Sequence, residues 1–350
     1  MKRQYMGDSM GTIDSDGIAQ WYPNCKIRFD GSHYIATPHT TNITKRTKRT
    51  EEQISVFVKD GKYELENKAK ETVDEDKTKN KNTDEPKKIR MTRKQIFDEL
   101  YDKYLYMKPK ERKQAIYTDM KSLFNNETDL EAFIEDNCSR RWRNLIVRRQ
   151  RFAKKAYNQH FQWFVTFTYS DELHTEDSFK QRLLETLRRL ATRKHWLYMG
   201  VWERGKDTDR LHFHALVYIP DGEMVGKFEK VTDYNKKTGK QKTITQNTFF
   251  ANKFGRNEFD DISMTDYAYG KAIAYIMKYM GKSNSKAVYS RGLYEYFQSD
   301  IMGSDVLMKM DIADETDNRL ILADDFMCID EGVLMGKVSR ETIAKMPKAK

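Results

Sequence analysis

Three local patterns predict an α+β fold. Residues 163–169 (WFVTFTY) alternate β-branched and aromatic side chains, as on a strand, and Ser170-Asp171-Glu172 ends the run. Phe179, Leu183, Leu184, Leu187 and Leu190 then recur three and four residues apart, so one helix face is apolar while Arg182, Arg188, Arg189 and Arg193 occupy the rest of the surface. A hairpin follows, with strands over 196–204 and 210–219, a turn through 205–209, and a stop at Pro220-Asp221-Gly222.

The remaining segments divide by composition. Residues 1–90 read as a largely disordered or irregular arm and linker: the first forty show no helix or strand period, and 66–88 hold almost no apolar groups whose burial would offset the entropy of ordering. Only Gln53 to Val58, with Asp60-Gly61 after it, suggests a short hairpin. Residues 91–155 read as a helical basic region. Thr92 caps a helix carrying Ile96, Leu100, Tyr104 and Leu105, and Asp129 opens another through Phe133 toward Cys138. From 140 to 155 come Arg140, Arg141, Arg143, Arg148, Arg149, Arg151, Lys154 and Lys155, with no acidic residue and with Trp142, Leu145, Ile146 and Phe152 interleaved. Such a helix can follow phosphates, with Trp142 or Phe152 exposed to stack on bases. Residues 156–300 hold the strand, helix and hairpin above, a polar insertion over 230–245, and a further helix from about Thr265 to Met280 that turns Ala268, Ala272, Ile273, Ile276 and Met277 to a core. Residues 301–350 read as a tail with one short strand, Leu320-Ile321-Leu322.

Composition narrows the partners. The 350 residues carry 63 Lys and Arg against 53 Asp and Glu, a net charge of +10, which favours a polyanion. Cys25, Cys138 and Cys328 lie far apart with no CxxC pair, which excludes a disulfide framework and a thiolate zinc site. The first residues lack the apolar core of a signal peptide and no run is long enough to span a bilayer, so a cytoplasmic protein with no membrane partner is expected.

The chemistry concentrates in three places. In Leu211-His212-Phe213-His214-Ala215 the period of two sends both imidazoles to one face of a strand, where they can share a divalent metal. Folding the hairpin brings Glu203 opposite His212 or its neighbours, where facing Cβ atoms lie about 5 Å apart. Two imidazoles and a carboxylate suit Mg²⁺ or Mn²⁺ acting on a phosphate oxygen better than a closed structural zinc site. In Tyr275-Ile-Met-Lys278-Tyr279-Met-Gly-Lys282, helical register places Tyr275 near Tyr279 and Lys278 near Lys282. A phenol titrates near 10, so it becomes a nucleophile at neutral pH only where a cation stabilises the developing charge.

In this order, strand Phe164 to Thr168, then Glu203 with His212 and His214, then the Tyr and Lys helix, the chain resembles the HUH endonucleases, the rolling-circle replication initiators. Its doubled Y-x-x-K-Y-x-x-K spacing is most similar to the two-tyrosine initiators of the Microviridae, small single-stranded DNA phages. The resemblance covers about 161–294. It implies an antiparallel sheet of about five strands, ferredoxin or RRM-like, with helices on one face and a helical N-terminal extension. It implies that His212, His214 and Glu203 bind Mg²⁺ or Mn²⁺, that Tyr275 and Tyr279 are nucleophiles, and that Lys278 and Lys282 position phosphate. The implied activity is nicking of single-stranded origin DNA through a 5′-phosphotyrosine, with a host replication helicase and polymerase as partners in the bacterial cytoplasm. Which tyrosine acts first stays open; Tyr275 is favoured. Two other readings are a transposase or relaxase of the same chemistry, and a non-catalytic single-strand binder presenting Phe164, Phe167 and Tyr169. No P-loop is present, since Ile276 stands where Gly281-Lys282-Ser283 needs a preceding glycine.

Overall fold

The structure, a computed structural model, describes residues 20–38, 53–59, 62–65, 87–205, 209–234, 239, 241–281, 286–310 and 319–346. They fall into two compact units.

The chain enters the larger unit through an antiparallel pair, β1 (Trp21–Phe29) and β2 (Tyr34–Thr37). It then builds the smaller unit from β3 (Gln53–Lys59), β4 (Lys62–Leu65) and β5 (Lys87–Thr92), an antiparallel sheet in the order β4-β3-β5. Three helices follow: α1 (Arg93–Lys103), α2 (Pro109–Met120) and α3 (Glu127–Gln159). Thr92 caps α1 with a reciprocal box in which its hydroxyl accepts from the Gln95 amide and the Gln95 side chain accepts from the Thr92 amide. Val56, Ile96, Phe97, Leu100, Ile116 and Leu130 form this unit's core. The hairpin expected at Gln53 is thus present, and it gains a third strand, β5, that the sequence conceals because only Ile89 and Met91 are apolar there. The two helices expected between 129 and 155 are one, since nothing from Glu127 to Gln159 is glycine or proline. The segment 66–86, expected to be a disordered linker, lies outside the described residues.

The larger unit continues with β6 (Trp163–Thr168), α4 (Glu176–Lys194), β7 (Leu197–Arg204) and β8 (Leu211–Tyr218). The hairpin β9 (Phe228–Tyr234) and β10 (Gln241–Asn247), α5 (Thr248–Phe254), β11 (Asn257–Asp261) and α6 (Asp266–Tyr279) come next. The polar stretch expected as an insertion over 230–245 is therefore a two-stranded ribbon. With β12 (Val288–Tyr289), these strands give a five-stranded antiparallel sheet in the order β11-β6-β8-β7-β12.

One side of that sheet turns Val165, Phe167, Trp202, Phe213, Ala215 and Val217 into the main core against α4 and α5. The other side meets α6, where Tyr275 packs on Phe164 and Tyr279 on His214. Helices expected on one face therefore cover both. The second face carries Phe164, Met199 and Leu216 beside its polar groups, and leaving such apolar surface wet would forfeit about 25 cal/mol per Å².

Five further strands, β13 (Phe297–Met302), β14 (Val306–Met310), β15 (Arg319–Leu322), β16 (Met327–Asp330) and β17 (Val333–Lys337), precede α7 (Arg340–Lys345). They join β1 and β2 in a seven-stranded sheet, β14-β15-β2-β1-β13-β16-β17, around Cys25, Ile27, Ala36, Phe297, Ile301, Leu322 and Cys328. This corrects the boundaries 1–90 and 301–350: an expected arm and an expected tail together build one sheet. The cause is legible in β1, where a bulge between Tyr22 and Cys25, with Asn24 at φ 54°, breaks the period of two. Burial pushes the Cys25 and Cys328 thiols up to about 12, so both stay protonated.

Gly200 on β7 allows the two central strands to close over Phe213. A methyl there would meet the His214 carbonyl oxygen and, at 2.7 Å, the Phe213 ring. Gly200→Val is expected to destabilise the protein by about 1–3 kcal/mol, measured by urea unfolding; an unchanged midpoint would refute this account of the contact.

Candidate active site

Strand register assembles the polar cluster. Pairing of β7 with β8 sets Glu203 opposite His212 and Val201 opposite His214, while pairing of β6 with β8 sets Thr168 opposite His212 and Thr166 opposite His214. Alternation then puts all five polar groups on the side facing α6. The imidazole centroids are 6.2 Å apart. Each ring is held at Nδ1 by a threonine, His214 by Thr166 Oγ1 at 3.0 Å and His212 by Thr168 Oγ1 at 2.8 Å. Glu203 Oε2 lies 2.7 Å from His214 Nε2, so the carboxylate engages the diagonal imidazole and not the one directly across.

The helix supplies the phenols. Thr265 caps α6, accepting from the Ala268 amide at 3.1 Å, and Ala272, Ile273 and Ile276 are buried, which fixes the helix's rotation. Tyr275 meets the His214 ring edge-on at 5.4 Å, and Tyr279 stacks on it at 5.6 Å with the planes 19° apart. The two phenol rings are 5.0 Å apart, and Phe164 stacks on the opposite side of the cluster, 5.9 Å from His214. The tyrosines are not equivalent. Tyr275 is 40% exposed, whereas Tyr279 is 9% exposed. Burial, a hydrogen bond with Tyr275 and the adjoining Glu203 carboxylate hold the Tyr279 phenol well above its ordinary value. Lys278 places its ammonium 5.8 Å from the Tyr279 ring centre. Lys282, expected to act with it, lies outside the described residues. Arg149 donates from Nε to the Met277 carbonyl at 3.1 Å, satisfying an acceptor in the last turn of α6.

Burial, reinforced by the neighbouring His214, lowers His212 from the ordinary 6.5 to about 4, so this imidazole is neutral at physiological pH and its nitrogens are available as donors to a metal. Folding disfavours the protonated ring, so between about 4 and 6.5 the unfolded chain binds more protons and stability rises with pH across that window. Thermal melting is expected to fall on acidification through it, and His212→Asn to flatten that fall; equal slopes in both proteins would contradict the assignment.

Among the described residues no three His, Cys, Asp or Glu side chains form a ready-made metal cage, and His214 and Glu203 bond to each other directly. The donor chemistry nonetheless fits a divalent ion: two imidazoles anchored through Nδ1 by hydroxyls, with a carboxylate beside them.

The basic residues divide. Arg140 bonds Asp98 at 2.6 Å, and Arg141 pairs with Asp102 and covers the Tyr101 ring, so both guanidinium groups serve the smaller unit's own structure. Arg151 pairs with Glu295 at 3.1 Å. Arg143 and Arg148 are exposed and make no ion pair among the described residues, and Trp142 is 58% exposed. Phe152, expected to be available for stacking, is instead fully buried and packs on Tyr289. The aromatics of the alternative binding-sheet reading are likewise occupied: Phe167 in the core, Phe164 between His214 and Tyr275, Tyr169 on Phe179.

The sequence reading missed Thr166, Thr168 and Arg149 as parts of the site. The signal for the threonines was the alternation in FVTFT, which puts them on one face; only the strand pairing shows that this face holds the histidines.

Residues 162–284 match the family model of the replication-associated protein ORF2, a span that runs from just before β6 to just beyond α6 and contains the whole cluster. The match supports a role in replication initiation. No curated protein and no solved structure matches the chain. No helix among the described residues is long and apolar enough to cross a membrane.

Proposed function

We propose that the larger unit is an HUH-type nickase that initiates rolling-circle replication of a phage or plasmid. The observation that carries this reading is the meeting of both phenol rings with the His214 imidazole, which itself bonds Glu203. His212, His214 and Glu203 would hold Mg²⁺ or Mn²⁺, and the ion would supply positive charge to a non-bridging phosphate oxygen.

This chain's residues account for the rest. Tyr275, the exposed phenol, gives up its proton and its oxygen attacks the scissile phosphorus of single-stranded origin DNA. The bond to the 3′ oxygen breaks, that oxygen takes a proton, and a 5′-phosphotyrosine remains. Lys278 offsets charge on the phosphate. Tyr279, bonded to Tyr275 and Glu203, is held for a second attack that releases the first strand without consuming ATP. The free 3′ end serves a host polymerase, with a host helicase opening the duplex, in a bacterial cytoplasm. Arg143, Arg148 and Trp142 offer unneutralised charge and an aromatic surface to the strand.

Incubation with Mn²⁺ and end-labelled single-stranded DNA carrying a phage or plasmid origin is expected to give an adduct that survives SDS. Binding of that DNA with neither adduct nor cleavage under any divalent ion would leave the non-catalytic reading in its place.

A further inference from the structure

We infer that Thr166 and Thr168 are positioning residues that set which imidazole nitrogen of His214 and of His212 faces the divalent ion. The inference rests on reading those histidines with Glu203 as an ion site. Two threonines, two positions apart on β6, meet two histidines, two positions apart on β8, and in both pairs the hydroxyl reaches Nδ1. The repetition follows from register, so one strand pairing orients both rings alike.

The hydroxyl matters because it can donate or accept. A carboxylate only accepts, so Nε2 of a neutral His214 donates to Glu203 at 2.7 Å, and its bare Nδ1 accepts the Thr166 proton. An ion bound through Nε2 requires the other tautomer. The proton leaves Nε2, Nδ1 gains one through solvent, and Nδ1–H now donates to a Thr166 hydroxyl that has rotated to accept. The ring's charge is unchanged, and the same oxygen serves before and after. His212 Nε2 has no hydrogen-bond partner among the described residues, so Thr168 can accept from Nδ1–H throughout and keep the Nε2 lone pair ready. Threonine adds stiffness, since its branched Cβ restricts χ1. Valine would keep shape and strand preference while removing the hydrogen bond, and serine would keep the bond without the branch.

The test measures Mn²⁺ affinity by titration, and imidazole ¹⁵N resonances with and without Mg²⁺, in the full chain. Thr166→Val and Thr168→Val should each weaken Mn²⁺ binding about 10- to 100-fold, with Thr166→Ser and Thr168→Ser regaining most of the affinity. In the unaltered protein His214 should move its proton from Nε2 to Nδ1 on saturation with Mg²⁺, a readout that needs no variant to fold. Unchanged affinity in both folded valine variants, or a His214 that keeps its Nε2 proton in the ion-bound state, overturns the inference. His212→Ala serves as the control: Mn²⁺ binding that survives it defeats the ion site itself, and with it the role assigned to the threonines.

Discussion

Tyr275→Phe combined with Tyr279→Phe is expected to abolish the covalent DNA adduct, lowering its rate of formation by about 10⁴-fold or more, while leaving the fold and DNA binding in place. Phenylalanine keeps both rings, and with them the packing on His214 and Phe164, so only the two hydroxyls are lost. The single variants should separate the steps. Tyr275→Phe removes the exposed hydroxyl and should stop initial cleavage, whereas Tyr279→Phe should permit one cleavage and block the strand transfer that follows. Labelled single-stranded DNA on denaturing gels reports both. An adduct formed by the double variant would place the nucleophile elsewhere and end the nickase reading.

His214→Ala is expected to be the most damaging change at the proposed ion site, lowering cleavage by about 100-fold or more. The ring is 5% exposed and touches Phe164, Tyr275 and Tyr279 while bonding Thr166 and Glu203, so its loss removes a ligand and the surface on which both phenols rest. It also leaves a nearly buried Glu203 carboxylate without this partner, a cost of about 1–3 kcal/mol. Single-turnover cleavage across a Mn²⁺ series, with urea unfolding of the same variant, checks both parts. Cleavage within a few-fold of the unaltered protein at every Mn²⁺ concentration would remove His214 from the mechanism.

Much of the site was written in local pattern. His212 and His214 needed only the period of two, and the turn after Arg204 sufficed to bring Glu203 across from His212. Helical spacing placed Tyr275 near Tyr279. Two things were not legible. Glu203 bonds His214 and not His212, because a side chain's choice between facing and diagonal neighbours depends on what the helix above leaves open. Arg140 and Arg141 read as phosphate contacts because their partners, Asp98 and Asp102, lie some forty residues away on α1, and ion pairs between separate helices leave no trace in a window of sequence. The fold shows the same divide. The segments with regular apolar alternation, β6, β8 and α4, were apparent, while β1, interrupted by a bulge and burying only Cys25 and Ile27 fully, was not.

The interleaving of strands from both chain ends carries a consequence for synthesis on the ribosome. Trp21 pairs with Met302, so β1 waits for a neighbour made some 280 residues later, roughly a quarter of a minute to a minute at ordinary translation speeds. During that interval β1 has β2 on one edge and an open row of amides and carbonyls on the other. The Cys25 thiol, sealed in the finished sheet, stays within reach of an alkylating reagent in chains stalled before Phe297.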